Sequence, residues 1–147
     1  MFPQARFVHI TRDPQSVYPS TLRLWKRLAE DEGLQISRFD NLPNVVSDTF
    51  KEMHRSYVEN RGKILPDRLC EIRYDDLIAN PVATMREVYE HLSLDRFADA
   101  QPVMEQYADS MAEFKTNQYT LTDDDQDRID QLREYLLSEH SVEARAA

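Results

Sequence analysis

The sequence contains very little cysteine and glycine. Cys70 is the only cysteine among 147 residues, and Gly33 and Gly62 are the only glycines. A single cysteine excludes an intramolecular disulfide, and none of the four histidines stands at a zinc-type spacing from it or from another histidine. We therefore expect a reducing compartment and no structural metal.

Long apolar runs and positive charge are also scarce. No stretch approaches the ~20 apolar residues that a membrane-spanning helix needs, and the first residues lack the apolar segment of a signal peptide. With 18 basic residues against 27 acidic ones, the formal net charge is −9, which is opposite in sign to a nucleic-acid-binding surface. These absences predict a cytoplasmic protein that binds neither membranes nor nucleic acids.

The few basic residues are concentrated near the N-terminus. Residues 1–29 contain five of them and a single acid, Asp13. Three of the five, at positions 23, 26 and 27, fit the solvated face of a helix. Arg12 differs from these three, because it directly follows an apolar strand and therefore does not belong to a helix face.

The hydrophobic pattern predicts an α/β fold with two parallel strands and about five helices. Residues 6–11 and 69–74 read as strands, and Cys70, Ile72 and Tyr74 would share one face of the second. Two strands that a long helical connection separates form a parallel pair by default. The helical periodicity predicts helices over residues 15–31, 46–61, 81–92, 102–113 and 123–138.

Two helix starts have strong local signals. Asn80-Pro81 combines a capping residue with a proline at the first helical position, and Thr122 with Asp125 forms a variant of the capping box. Pro19 lies near the start of the first helix, which we expect to begin near Tyr18 or to open irregularly. We assign residues 1–138 to one domain and residues 139–147 to a frayed tail.

The strand that ends at Arg12 predicts a phosphate site. Ligands of open α/β sheets bind at the carboxyl ends of the strands, and a helix that follows offers unpaired N-terminal amides to an anion. Arg12 can hold a phosphate through two N–H groups, and Ser20, about two turns further on, can add a hydroxyl donor. The alternative is that Arg12 pairs with Asp13 or another carboxylate, and that Ser20 merely lies in a helix.

Two segments of the chain resemble the sulfotransferase family, which uses 3′-phosphoadenosine 5′-phosphosulfate (PAPS). Residues 2–20, with Thr11-Arg12-Asp13-Pro14 and Ser20, resemble its 3′-phosphate-binding segment. Residues 72–81, followed by residues 85–92, resemble its strand–Tyr-Glu-Asp-Leu–helix unit. The resemblance covers residues 2–122 and implies a partial P-loop-like sulfotransferase domain.

The resemblance also implies a nucleotide co-substrate, PAPS, and the residues that bind it. Arg12 and Ser20 would bind the 3′-phosphate, Tyr74 would contact adenine, and Lys115 would belong to a late loop over the nucleotide. A strand-end tyrosine that is only a core residue is the alternative for Tyr74. No metal and no catalytic base are assigned, and the acceptor is an unidentified hydroxyl or amine.

Asp75 and Asp76 suggest a pair of acid/base carboxylates. Acids in the loop before a helix more commonly cap that helix or bond the loop, and we favour this structural role for both.

The family's Gly- and Ser/Thr-rich loop for the 5′-phosphosulfate has no counterpart in this sequence. Neither Gly33 nor Gly62 follows a strand. We therefore expect the C-terminal part of a sulfotransferase domain, with little activity alone, that either self-associates or pairs with a missing N-terminal half. Two other classes stay open: a non-catalytic nucleotide-binding or interaction module, and a helical protein without a nucleotide site.

Overall fold

A two-stranded sheet and six α-helices make up the described part of the chain. The computed structural model describes residues 4–33, 38–111, 113 and 117–146, with side chains up to residue 138. The elements in chain order are β1 Phe7–Thr11, α1 Pro14–Glu32, α2 Leu42–Arg61, a 3-10 turn Pro66–Arg68, β2 Leu69–Arg73, α3 Tyr74–Ala79, α4 Pro81–His91, α5 Phe97–Ser110 and α6 Asp123–Ala146. The predicted α/β class is confirmed.

The two strands are parallel, as predicted. Their register pairs Phe7 with Leu69 and runs without a break to Thr11 paired with Arg73. Beyond the ladder, the Thr11 hydroxyl donates to the carbonyl of Ile72 at 3.3 Å, which ties the carboxyl ends of the two strands together.

Contacts along the chain define two compact units. The first consists of Met1–Arg12 and Glu59–Asn117, and the second of Asp13–Val58 and Gln118–Ala147. In the first unit β2 packs against α4, because Cys70 is buried together with Val88 and Leu92. Val88 and Leu92 are four residues apart, so they lie on one face at the C-terminal end of α4.

The core of the second unit is built by its helices. Tyr18, Val46, Ile129 and Leu132 are buried together, and Trp25 packs against them. These residues come from α1, α2 and α6. The apolar spacing that predicts these helices is buried only in part, because Leu24 and Leu28 of α1 are 55% and 45% exposed and Met53 of α2 is 68% exposed.

Helix α1 begins earlier than its internal proline suggests. It starts at Pro14, a position at which a missing N–H costs nothing, and continues through Pro19 to Glu32. The expected start near Tyr18 is therefore wrong. Since Pro19 lies in the second turn, it removes a single helical hydrogen bond without ending the helix.

Helix α5 also differs from its predicted bounds. It begins at Phe97 rather than at Pro102, so this proline lies inside the helix and does not open it. The residue before the helix, Arg96, has φ 67°, and its Nε donates to Asp99 at 2.8 Å, which fixes the turn that starts the helix.

The capping box of α6 is confirmed. The Thr122 hydroxyl accepts from the Asp125 amide at 3.2 Å, and the Asp125 carboxylate accepts from the Thr122 amide at 3.0 Å. The frayed tail predicted for residues 139–147 lies outside the described side chains and stays a prediction.

None of the helices among the described residues is both long and apolar enough to cross a membrane. The described residues also contain no group of three acidic, histidine or cysteine side chains that could hold a metal ion.

Candidate nucleotide-binding site

The arginine that follows β1 contacts the tyrosine that follows β2. The Cζ atom of Arg12 lies over the Tyr74 ring at 4.1 Å from the ring centroid, well within the ~6 Å range of a cation–π interaction. The register explains this contact, because continuing it by one residue past Thr11 and Arg73 pairs Arg12 with Tyr74. Both residues thus lie at the carboxyl end of the parallel pair, where α/β proteins bind ligands.

Tyr74 is not a strand residue, contrary to the prediction. β2 ends at Arg73, and Tyr74 is the first residue of α3. The early end of the strand has a local cause: Asp75 and Asp76 stand in the first helical turn, where negative charge is favourable. The ring nevertheless stays at the end of β2, since α3 follows the strand without a loop.

The guanidinium of Arg12 retains unused hydrogen-bond capacity. Its Nε is buried and has no hydrogen-bond partner in the described part of the protein, where Arg12 also forms no ion pair. The alternative interpretation, a pair with a carboxylate, is therefore not seen among the described residues. Buried unpaired N–H groups are rare and cost ~1–3 kcal/mol, so this donor fits an acceptor such as a phosphate oxygen.

The N-terminus of α1 does not offer free amides to an anion, and this expectation is wrong. Pro14 has no N–H, and the amide of Gln15 donates to the Asp13 carboxylate at 2.7 Å. The amides of Ser16 and Val17 donate to the Asp13 carbonyl at 2.9 and 3.2 Å. The first turn is thus satisfied by Asp13, whose carboxylate also accepts from Arg133 at 2.9 Å.

The structure does not test the other two predicted ligands. Ser20 is half-buried in α1 and belongs to the second unit. Arg12 is the last residue of the first segment of the first unit. Lys115 lies outside the described residues. Of the four predicted binding residues, the structure brings together Arg12 and Tyr74.

The two aspartates after Tyr74 make local contacts. The Asp75 carboxylate accepts from Arg73 at 3.4 Å, and both side chains are exposed. The backbone carbonyl of Asp76 accepts from the Asn80 amide at 2.9 Å and from the buried Thr84 hydroxyl at 3.1 Å. The two bonds to the Asp76 carbonyl fix the joint between α3 and α4, whereas no side chain caps the N-terminus of α3, so the expected capping role of these acids is not seen.

A second polar cluster, which the sequence did not predict, lies in the middle of the strand pair. His9 and Glu71 are register partners, with Nδ1 and Oε1 4.0 Å apart, and Arg61 donates to both Glu71 carboxylate oxygens at 3.0 and 3.3 Å. Burial lowers the pKa of His9, while Glu71 raises it and Arg61 lowers it further. Alternation places both residues on one face, but their pairing becomes visible only once the register is known.

A shallow groove of about 580 Å³ lies apart from these residues, along α4 and α5. Its polar lining includes Glu105 and Asp109 beside Arg86. Arg86 donates to Gln101 at 3.1 Å, and the two carboxylates in the lining disfavour an anionic ligand in this groove.

A parallel strand pair with an unpaired guanidinium at its carboxyl end is typical of an anion-binding α/β protein. The family model described as "Sulfotransferase family" matches residues 1–99. This chain belongs to the sulfotransferase family.

Curated relatives support the assignment. The chain is 44% identical over 122 residues to omega-hydroxy-beta-dihydromenaquinone-9 sulfotransferase of Mycobacterium bovis and of Mycobacterium tuberculosis. The matched region covers 83% of this chain and 31% of each relative. It is 30% identical over 98 residues to mouse carbohydrate sulfotransferase 5, over 60% of this chain and 25% of the relative. The chain thus spans less than a third of the length of these relatives, and no solved structure matches it.

Proposed function

We propose that this chain binds the 3′-phosphoadenosine part of PAPS and that Arg12 is its 3′-phosphate ligand. PAPS supplies the activated sulfuryl group that the complete domain transfers. The observation that carries the proposal is the half-buried guanidinium of Arg12, whose buried Nε has no acceptor in the described residues and which lies at the carboxyl end of β1. A phosphate can accept from such a planar fork through two oxygens.

The acceptor we propose is a hydroxyl group. The mycobacterial relatives are named for an omega-hydroxy menaquinone and the mouse relative for carbohydrate, so the names of both describe acceptors that carry hydroxyls. These names favour a hydroxyl over the amine that the sequence left open.

The remaining site residues are proposed from the resemblance alone. Ser20 would donate its hydroxyl to the 3′-phosphate, and Lys115 would belong to the loop over the nucleotide. The adenine contact of Tyr74, a cytoplasmic location and the absence of nucleic-acid and membrane partners stay predictions. No catalytic base is proposed.

We also propose that residues 1–138 are the C-terminal portion of a sulfotransferase domain. Phe7, Val8 and Ile10 of β1 are each more than 40% exposed, whereas parallel strands are ordinarily covered on both faces. Either an N-terminal portion of the domain or a second copy of this chain would cover them. Light scattering on the purified chain separates the two, because the first predicts a monomer and the second a dimer.

Binding of two nucleotides tests the role of Arg12. Adenosine 3′,5′-bisphosphate and adenosine 5′-monophosphate differ only in the 3′-phosphate, so their affinity ratio, measured by titration calorimetry, isolates it. Charge-assisted hydrogen bonds contribute ~1.5–3 kcal/mol each, so Arg12→Ala should weaken bisphosphate binding at least about tenfold and leave monophosphate binding unchanged.

A matched control is Arg96→Ala, which removes an exposed arginine of the same unit. It should leave both affinities unchanged. Equal binding of the two nucleotides by the unaltered chain, or an unchanged ratio in Arg12→Ala, would overturn the proposal.

A separate assay addresses catalysis. The purified chain should transfer little or no sulfuryl from PAPS to a hydroxyl acceptor, because it lacks a recognisable 5′-phosphosulfate loop. Turnover near that of full-length relatives would contradict this expectation.

A further inference from the structure

We infer that Tyr74 is a positioning residue for the 3′-phosphate: its ring holds the guanidinium of Arg12 in the binding geometry. This role rests on the proposed function and replaces the adenine contact as the main task of the residue. It makes Tyr74 a determinant of the preference for a 3′-phosphorylated nucleotide.

The geometry assigns one face of the ring to Arg12. With Cζ at 4.1 Å from the centroid, the guanidinium covers that face, so adenine cannot stack there. The buried Nε of Arg12 has no hydrogen-bond partner among the described residues, so this donor stays available beside the ring contact.

Both members of the pair are attached to fixed backbone. Arg12 follows Thr11, whose hydroxyl bonds the Ile72 carbonyl. Tyr74 begins α3, whose Asp76 carbonyl is bonded to the buried hydroxyl of Thr84 in α4. The ring is thus a firm platform for a side chain that otherwise loses much rotamer freedom on binding, and holding it in advance lowers the cost of binding a phosphate.

The positioning role and the adenine role make different predictions. If the ring mainly contacts adenine, its loss weakens both adenosine nucleotides equally. If the ring positions Arg12, its loss weakens only the nucleotide that carries a 3′-phosphate. The ratio of the two affinities therefore separates the roles, and a general loss of structure would not reproduce a selective change.

The experiment compares Tyr74→Leu, which removes the ring, with Tyr74→Phe, which keeps it. A cation–π contact contributes enough that Tyr74→Leu should lower the ratio of bisphosphate to monophosphate affinity roughly 5- to 30-fold. Tyr74→Phe should keep the ratio within about threefold, because phenylalanine also binds cations over its ring. Tyr107→Leu, an exposed tyrosine of α5, is the matched control and should change neither affinity.

A second measurement tests the contact without a nucleotide. In the nuclear magnetic resonance spectrum of the free chain, the ring current of Tyr74 should shift the Arg12 side-chain signals upfield. The shift should persist in Tyr74→Phe and disappear in Tyr74→Leu.

The outcomes separate this inference from the proposed function. An affinity ratio that Tyr74→Leu leaves unchanged, or the absence of the ring-current shift, overturns the positioning role and leaves the phosphate role of Arg12 intact. Equal binding of the two nucleotides by the unaltered chain overturns the proposed function and the positioning role together, even when the ring-current shift is present.

Discussion

Replacing Asp13 tests how the N-terminus of α1 is held. Its carboxylate accepts from the Gln15 amide at 2.7 Å and from Arg133 of α6 at 2.9 Å, so a single side chain caps one helix and ties it to another. Loss of an N-cap side chain costs ~0.5–2 kcal/mol. The ion pair contributes only ~0.2–1 kcal/mol, because the side chains of Arg133 and Asp13 are 38% and 49% exposed.

These two contributions lead to graded expectations for two variants. Asp13→Ala should lower the free energy of unfolding of the second unit by about 1.5 kcal/mol, since it removes both the cap and the pair. Asp13→Asn keeps a side-chain acceptor for the Gln15 amide and should lose at most about 1 kcal/mol. A double-mutant cycle with Arg133→Ala should give a coupling of ~0.2–1 kcal/mol, the contribution of the pair itself.

The sequence offers a probe that reports on this unit. Trp25 is the only tryptophan, and it packs against the buried cluster around Tyr18. Its fluorescence during urea unfolding should therefore follow the second unit, with a midpoint about 0.5 to 1.5 M lower in Asp13→Ala. An unchanged midpoint in Asp13→Ala would refute the reasoning that this carboxylate stabilises the helix start.

Two further predictions address the core and the pH dependence of the two units. In the second unit Leu132 is fully buried, so Leu132→Ala should lower the free energy of unfolding, followed by Trp25 fluorescence, by ~2–5 kcal/mol. Leu137→Ala, at a position 69% exposed on the same helix, should change this free energy by less than ~0.5 kcal/mol. Similar losses in the two variants would contradict the assigned core. In the first unit, burial lowers the pKa of His9 below its ordinary 6.5, against Glu71, which raises it, and with Arg61, which lowers it. The unfolded chain then binds more protons between the two pKa values, so the stability contribution of His9 is full above pH 6.5 and is lost as the pH falls through the folded pKa. Amide hydrogen exchange in β1 should show this loss of stability in the unaltered chain and a smaller loss in His9→Gln. A nuclear magnetic resonance titration should show a still lower His9 pKa in Glu71→Gln, because Glu71 raises it. A His9 pKa above 6.5 in the unaltered chain would contradict the effect of burial on this side chain.

The elements that could be predicted from the sequence have local signals. The apolar strands 69–73 and 7–11, and the capping box at Thr122, depend on neighbouring residues and are found where expected. The helix start at Asn80-Pro81 is also found, although the Asn80 side chain makes no capping bond. Proline at the first helical position and the carbonyl of Asn80, which accepts from the Thr84 amide at 2.9 Å, are sufficient to start α4.

Proline is a misleading signal of a helix boundary at two positions. Pro102 predicts a helix start, and Pro19 predicts a start near Tyr18 or an irregular opening, yet both prolines lie inside helices. The free amides expected at α1 are wrong for a different reason. Asp13-Pro14 is itself a capping residue followed by proline, so the sequence already contained the signal that this helix start is satisfied internally.

The candidate site could be predicted only in part, because its second member depends on the register of the strands. Arg12 follows an apolar strand and is recognisable alone, whereas nothing local to Tyr74 says which residue its ring meets. The ladder supplies this information, since continuing it beyond Thr11 and Arg73 aligns Arg12 with Tyr74 and places the guanidinium over the ring. A shift of one residue in the pairing would align Tyr74 with Thr11 or Asp13 and separate the ring from the guanidinium. If Arg12 binds the 3′-phosphate as proposed, selectivity for that group should depend on the pairing of the two strands as much as on Arg12 itself.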